Sequence, residues 1–157
     1  MTPGDESGER VAGLIRLMSE AASAFIRGDM RTYARLMRHA DDYTLMAPSG
    51  GEPRRGFDES DPALDALEQY FHGGEAELEV VQTYASGDIA VLVAIERQRG
   101  RVGSLPEQDL SLRVTLVFRL EGSEWRLVHR HADPLVHEIT EEQLGALTRG
   151  DDSSRTQ

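Results

Sequence analysis

The chain contains no cysteine. Disulfides, thiolate metal sites and a cysteine nucleophile are therefore excluded, and a cytoplasmic location is the expectation. No apolar run approaches the roughly 20 residues of a membrane span, so no membrane association is expected. The first residues, Met1-Thr-Pro-Gly-Asp-Glu-Ser-Gly-Glu9, lack the basic region and apolar stretch of a signal peptide. Basic residues are the scarcer sign: 17 Lys and Arg stand against 28 Asp and Glu, a net charge of −11. Such a surface repels phosphate backbones, which argues against a nucleic-acid partner. A Gly-rich phosphate loop, a nucleophile motif, a dinucleotide fingerprint and an internal repeat are all missing, so no cofactor is expected.

What is present suits one globular domain. The chain has 157 residues, 39% of them apolar and 29% charged. Residues 1–8 and 149–157 read as flexible ends. From Glu9, the apolar positions Val11, Leu14, Ile15, Met18, Ala22, Phe25 and Ile26 repeat at three and four, which predicts a helix. Gly28 closes it and Asp29 caps a second helix over about Met30 to His39, with Tyr33 and Met37 on one face. Asp41 and Asp42 end that helix, and a short strand follows from Tyr43 to Ala47. Pro48 to Pro53 is a loop. Asp61-Pro62 starts a third helix reaching about His72, stopped by Gly73-Gly74. Then the period changes to two. Strands are predicted from Glu77 to Tyr84 and from Ile89 to about Arg99, with Val91, Val93 and Ile95 taken as the inward side of the second. Thr140 and Gln143 form a capping box for a short tail helix. Three helices followed by four antiparallel strands indicate an α+β domain over residues 9–134, with 135–148 as a helical tail.

The two strands from Leu110 to Leu120 and from Trp125 to Asp133 organise the rest. With the turn at Gly122-Ser123, Leu120 opposes Trp125, Phe118 opposes Leu127 and Leu116 opposes His129. One face then carries Val114, Leu116, Phe118, Leu120, Trp125, Leu127, His129 and His131. The other carries Arg113, Thr115, Val117, Arg119, Arg126, Val128, Arg130 and Ala132. Burial is worth roughly 1.5–3 kcal/mol per large apolar side chain. Burying four unpaired arginines costs far more. The first face is therefore expected inside, and the second is expected to pair with another subunit.

This hairpin, Arg113 to Leu120 and Trp125 to Pro134, resembles the closing hairpin of SnoaL-like members of the nuclear transport factor 2-like superfamily. Gly28-Asp29, the run Asp41 to Pro48, and Gly56 ahead of the third helix are similar too. The resemblance implies a cone-shaped barrel, a curved antiparallel sheet wrapped around a pocket with three helices, forming a homodimer through the sheet's outer face. It does not supply the ketosteroid isomerase machinery. The isomerase's catalytic carboxylate, oxyanion tyrosine and protonated aspartate fall on Ala47, about Ala21 and about Leu116, and Asp109 lies too near a strand start to substitute.

His129 and His131, two apart on one strand, are the candidate acid–base residues, because imidazole titrates near neutral pH. No metal site is expected, since a third ligand would have to come from Asp133, His137 or across the pocket. Tyr33, Tyr43, Asp42, Arg97, Leu116, Phe118 and Trp125 are the candidate binding residues. The function expected is binding of a small, mostly apolar molecule in the cone. Acid–base chemistry without a cofactor (isomerase, cyclase, dehydratase or hydrolase) is one form of it. The alternative is a non-catalytic binding or association module.

Overall fold

The structure, a computed structural model, describes residues 3–150, and side chains from residue 8 onward. Of the expected flexible ends at 1–8 and 149–157, residues 1–2 and 151–157 lie outside the described residues, while 3–8 and 149 are helical. The chain order is α1 (Pro3–Ile26), α2 (Met30–Leu36), β1 (His39–Met46), β2 (Arg54–Arg55), α3 (Asp61–Tyr70), β3 (Phe71–Ser86), β4 (Ile89–Val102), β5 (Gln108–Asp109), β6 (Leu112–Glu121), β7 (Glu124–Pro134) and α4 (Glu141–Arg149). The strands form one curved, unclosed sheet in the order β2-β1-β7-β6-β4-β3, with β5 on β4. The α+β cone is therefore present. Its sheet is mixed, because β1 runs parallel to β7 while the other pairs are antiparallel.

The stripe on α1 lies against the concave face: Leu14, Met18, Ala21, Ala22 and Ile26 are buried. The helix starts at Pro3, ahead of the expected Glu9. Gly28 sits at φ 80°, and a Cβ there would lie 2.2 Å from the Phe71 carbonyl oxygen, so only glycine permits this α1–α2 corner. Asp29 caps α2, accepting from the Thr32 N–H at 3.3 Å.

Two helix ends differ from expectation for one reason. α2 stops at Leu36 rather than His39, and α3 stops at Tyr70 rather than His72. In both cases the chain passes at once into a paired strand. His39 lies beside Leu127 of β7, and Phe71 beside Val102 of β4. Tertiary pairing overrides the local helical pattern. Asp41 and Asp42 thus sit inside β1, and Gly73-Gly74 inside β3.

The faces of the long strands are decided by two further facts. On the first half of β4 the buried residues are Ala90, Leu92, Ala94 and Glu96, so Val91, Val93 and Ile95 face outward, the reverse of the expected parity. On β6 the expectation stands: Val114, Leu116 and Phe118 are buried. Between β6 and β7 the register shifts. Phe118 pairs with Leu127, but Val117 pairs with His129, leaving Val128 as an extra residue. This β-bulge reverses the alternation of everything after it. Leu116 then opposes Arg130 and Val114 opposes Ala132, while His129 and His131 oppose Val117 and Thr115 on the outer face.

Candidate functional site

The bulge at Val128 removes the two candidate histidines from the cone. His129 is bound through Nδ1 to the Thr44 hydroxyl at 2.8 Å, and His131 is exposed, with the two rings 6.4 Å apart. Their expected position on the inner face is corrected accordingly. Asp42 also belongs to the outer surface, where it pairs with Arg119 at 2.8 Å. Arg97 is exposed and pairs with Glu79 at 2.8 Å, rather than continuing an inward row. Leu116 and Phe118 are fully buried core residues, and Trp125 is half-buried against that core.

In their place the same bulge turns Arg130 inward. Arg130 grips Glu96 of β4 through both carboxylate oxygens, at 2.6 and 2.9 Å. Glu96 is 3% exposed. Burial works against the Arg130 cation, but the Glu96 charge more than restores it, and the guanidinium stays firmly protonated. A buried pair of this kind offsets its desolvation cost only through bidentate geometry.

Tyr33, Tyr43 and His39 gather around this pair. The early end of α2 and the start of β1 at His39 bring His39 Nε2 to 3.1 Å from the Tyr33 hydroxyl. His39 stacks on Phe57 (centroids 4.1 Å apart, planes 16° apart) and meets Tyr43 edge-on at 4.6 Å. Burial, and then the Arg130 charge, push the His39 pKa down to about 4, against partial support from the Met37 backbone. The ring is therefore neutral at pH 7. Burial raises the Tyr33 hydroxyl pKa well above its usual value, and pushes Tyr43 up to about 12, the latter opposed in part by Arg130. Both tyrosines remain protonated donors.

A cavity of about 350 Å³ opens beside this cluster, with His39, Ala40 and Phe57 in its wall and Arg38, Asp41, Glu59 and Arg126 around it. His39 Nδ1 and Arg126 Nε, on two residues that line the opening, are buried without a hydrogen-bond partner. The cluster reaches this charged-rimmed opening through the neutral imidazole of His39, while the two phenolic donors and the fixed ion pair are buried and do not line it. Among the described residues no group of three or more His, Asp or Glu is placed to hold a metal ion. Among the described residues no helix is long and apolar enough to cross a membrane.

Of the expected site residues, Tyr33 and Tyr43 come together here. Glu96, Arg130, His39 and Phe57 were not legible. A glutamate at the end of an apolar strand reads as a surface residue, and His39 reads as a helix end.

A helix-lined α+β cone with a polar cluster inside defines a domain class. The model of the SnoaL-like domain matches residues 15–136, and the chain belongs to that family. No curated protein sequence matches it. Several solved structures share the fold. One is a putative dehydratase of the NTF2-like family from Streptomyces avermitilis, 23% identical, covering 87% of this chain and 100% of its own, with a TM-score of 0.64. A putative scytalone dehydratase from Novosphingobium aromaticivorans is 13% identical over 87% of this chain and 93% of its own, TM-score 0.69. The association domain of the C. elegans kinase CaMKII is 14% identical over 82% and 98%, TM-score 0.61. At these identities the likeness is one of fold.

Proposed function

We propose that this chain is a small-molecule-binding SnoaL-like domain, with its site at the cavity beside His39. The carrying observation is the buried Tyr33–His39 hydrogen bond, held against the Glu96–Arg130 pair at the wall of an opening. Phe57 and Ala40 give that lining an apolar patch, and Arg38, Asp41, Glu59 and Arg126 ring it with charge, so a small molecule with one apolar part and polar groups around it fits there. Its ring or chain would lie on Phe57, and its oxygen would meet the His39 imidazole. If the domain is an enzyme, the chemistry is acid–base without a cofactor. The neutral His39 ring, which lines the opening, would exchange a proton with the ligand's oxygen, and the Tyr33 hydroxyl bonded to Nε2 would hold the ring's orientation and tautomer. A pKa near 4 makes His39 a weak base. That favours binding, or reactions whose substrate proton is already acidic.

The test is a thermal-shift screen of small cyclic ketones, enols and hydroxy-aromatics on the wild type and on His39→Phe and Tyr33→Phe. Stabilisation of the wild type that both variants lose supports the reading. Equal shifts in all three proteins would place binding elsewhere, and a wild type unmoved by every compound would favour the second reading.

That second reading is an association module. The outer sheet face carries Met46, Tyr84, Ile89, Val91, Val93 and Val117, several of them well exposed. A homodimer through this face, with His129 and His131 within it, is part of the proposal in either reading. Sedimentation at several concentrations checks it, and a monomer throughout would remove it.

A further inference from the structure

The tail helix α4 buries none of its residues, yet both its ends are fully specified. Thr140 and Gln143 cap it reciprocally: the Gln143 N–H donates to the Thr140 hydroxyl at 3.1 Å, and the Thr140 N–H to Gln143 Oε1 at 2.9 Å. Glu141 and Glu142 occupy its first turn, and Gly150 closes it in the left-handed conformation. A helix of nine residues held by caps alone is marginal in water, because helices draw most of their stability from a packed apolar face. Leu144 and Leu147, three apart, are that face, and they are 54% and 70% exposed. Val136 on the approach is also exposed.

A complementary strip lies on the β1–β2 edge. Arg54 and Arg55 are exposed, and neither forms an ion pair among the described residues. Met46 stands exposed on the same face as Arg55, and Arg54 projects from the other side of the same edge. Thr44 and Leu45 pair with Arg55 and Arg54, and Met46 lies beside His131 of β7. The strip is therefore at the end of β7 from which the tail departs. Within one copy Leu144, Leu147 and Met46 all stay exposed.

We propose that α4 of each copy docks on the β1–β2 edge of a second copy of this chain. Leu144 and Leu147 cover Met46, and Glu141 and Glu142 face Arg54 and Arg55. The second copy is the occupant because one chain carries both halves with opposite charge, and a two-fold pair satisfies both at once. The inference rests on the pairing through the outer sheet face and makes α4 the strap of that pair.

Full-length R54E/R55E and E141R/E142R are compared with wild type by sedimentation equilibrium. Each alone should dimerise about ten-fold more weakly. Mixed in equal amounts, they should recover to within about three-fold of wild type, because only the mixed pair restores opposite charges across both contacts. Wild-type behaviour of either variant alone, a mixture no better than its parts, or a wild type still monomeric at about 100 µM would overturn the strap. Val117→Lys on the outer face separates the two ideas. A dimer lost there but indifferent to the charge reversals removes the strap and leaves the face pairing. The opposite pattern keeps α4 docked on the second copy's β1–β2 edge but overturns the face pairing, and with it the strap as part of that pair.

Discussion

The two faces of one sheet carry the same chemistry to different ends. Inside, Arg130 holds Glu96 at 2.6 Å, and Glu96 is almost fully buried. Outside, Arg119 holds Asp42 at 2.8 Å with both partners in contact with water. The outer pair is screened and replaceable. The inner pair, once made, cannot be half removed, because either charge left alone would face a low dielectric. Polar groups inside this cone are therefore structural commitments, and polar groups outside it are adjustments.

The largest break of that contrast is Glu96→Ala. It should cost about 3–5 kcal/mol in equilibrium denaturation, since it strands the Arg130 cation. Replacing both partners together, Glu96→Leu with Arg130→Met, should recover most of that loss. A cost for Glu96→Ala no greater than that of a surface substitution would show that the pair is solvated.

Next in size is the acid limb. His39 is held neutral in the fold down to about pH 4, whereas its unfolded value is the ordinary 6.5. Between these values the unfolded chain binds the extra proton, so stability falls as pH drops from 6.5 towards 4, by up to about 3 kcal/mol. The carboxylates held low, Asp42, Asp58, Asp109 and Asp133, lose their contribution only as pH falls through and below their ordinary value of 3.8. The slope above pH 4 thus belongs to His39. His39→Gln should flatten it; an unchanged slope would mean the ring is hydrated.

Smaller again is the outer histidine pair. His129→Ala and His131→Ala should leave the melting midpoint and any ligand response of the cavity nearly unchanged, and should act on self-association. A large loss of ligand response with the dimer intact would return both residues to the cone. The least effect is expected from Arg119→Ala, whose melt should coincide with wild type within repeat scatter, at low salt as at high.

Against this contrast, the legible parts of the sequence are those governed by short-range rules. The period of α1, the Asp29 and Thr140 caps, the Gly122 turn and the inward row Val114–Leu116–Phe118 are local, and the structure contains each of them. β4 was not legible because both its faces are apolar. Alternation shows that two faces exist; only the partner strands show which one is covered. His39 was not legible because its helical neighbourhood is local, while the pairing that ends the helix comes from β7, far along the chain.

By itself, then, the sequence determined an acidic α+β domain, its element order, the turn at Gly122 and the apolar side of β6. Tertiary structure decided the contents of the cone. A single unpaired residue, Val128, exchanged His129 and His131 for Arg130 and Ala132 on the inner face. The physical reason is that side chains alternate with period two, so one extra residue inverts a strand. A bulge is specified by how two strands fit each other, and neither strand announces it alone.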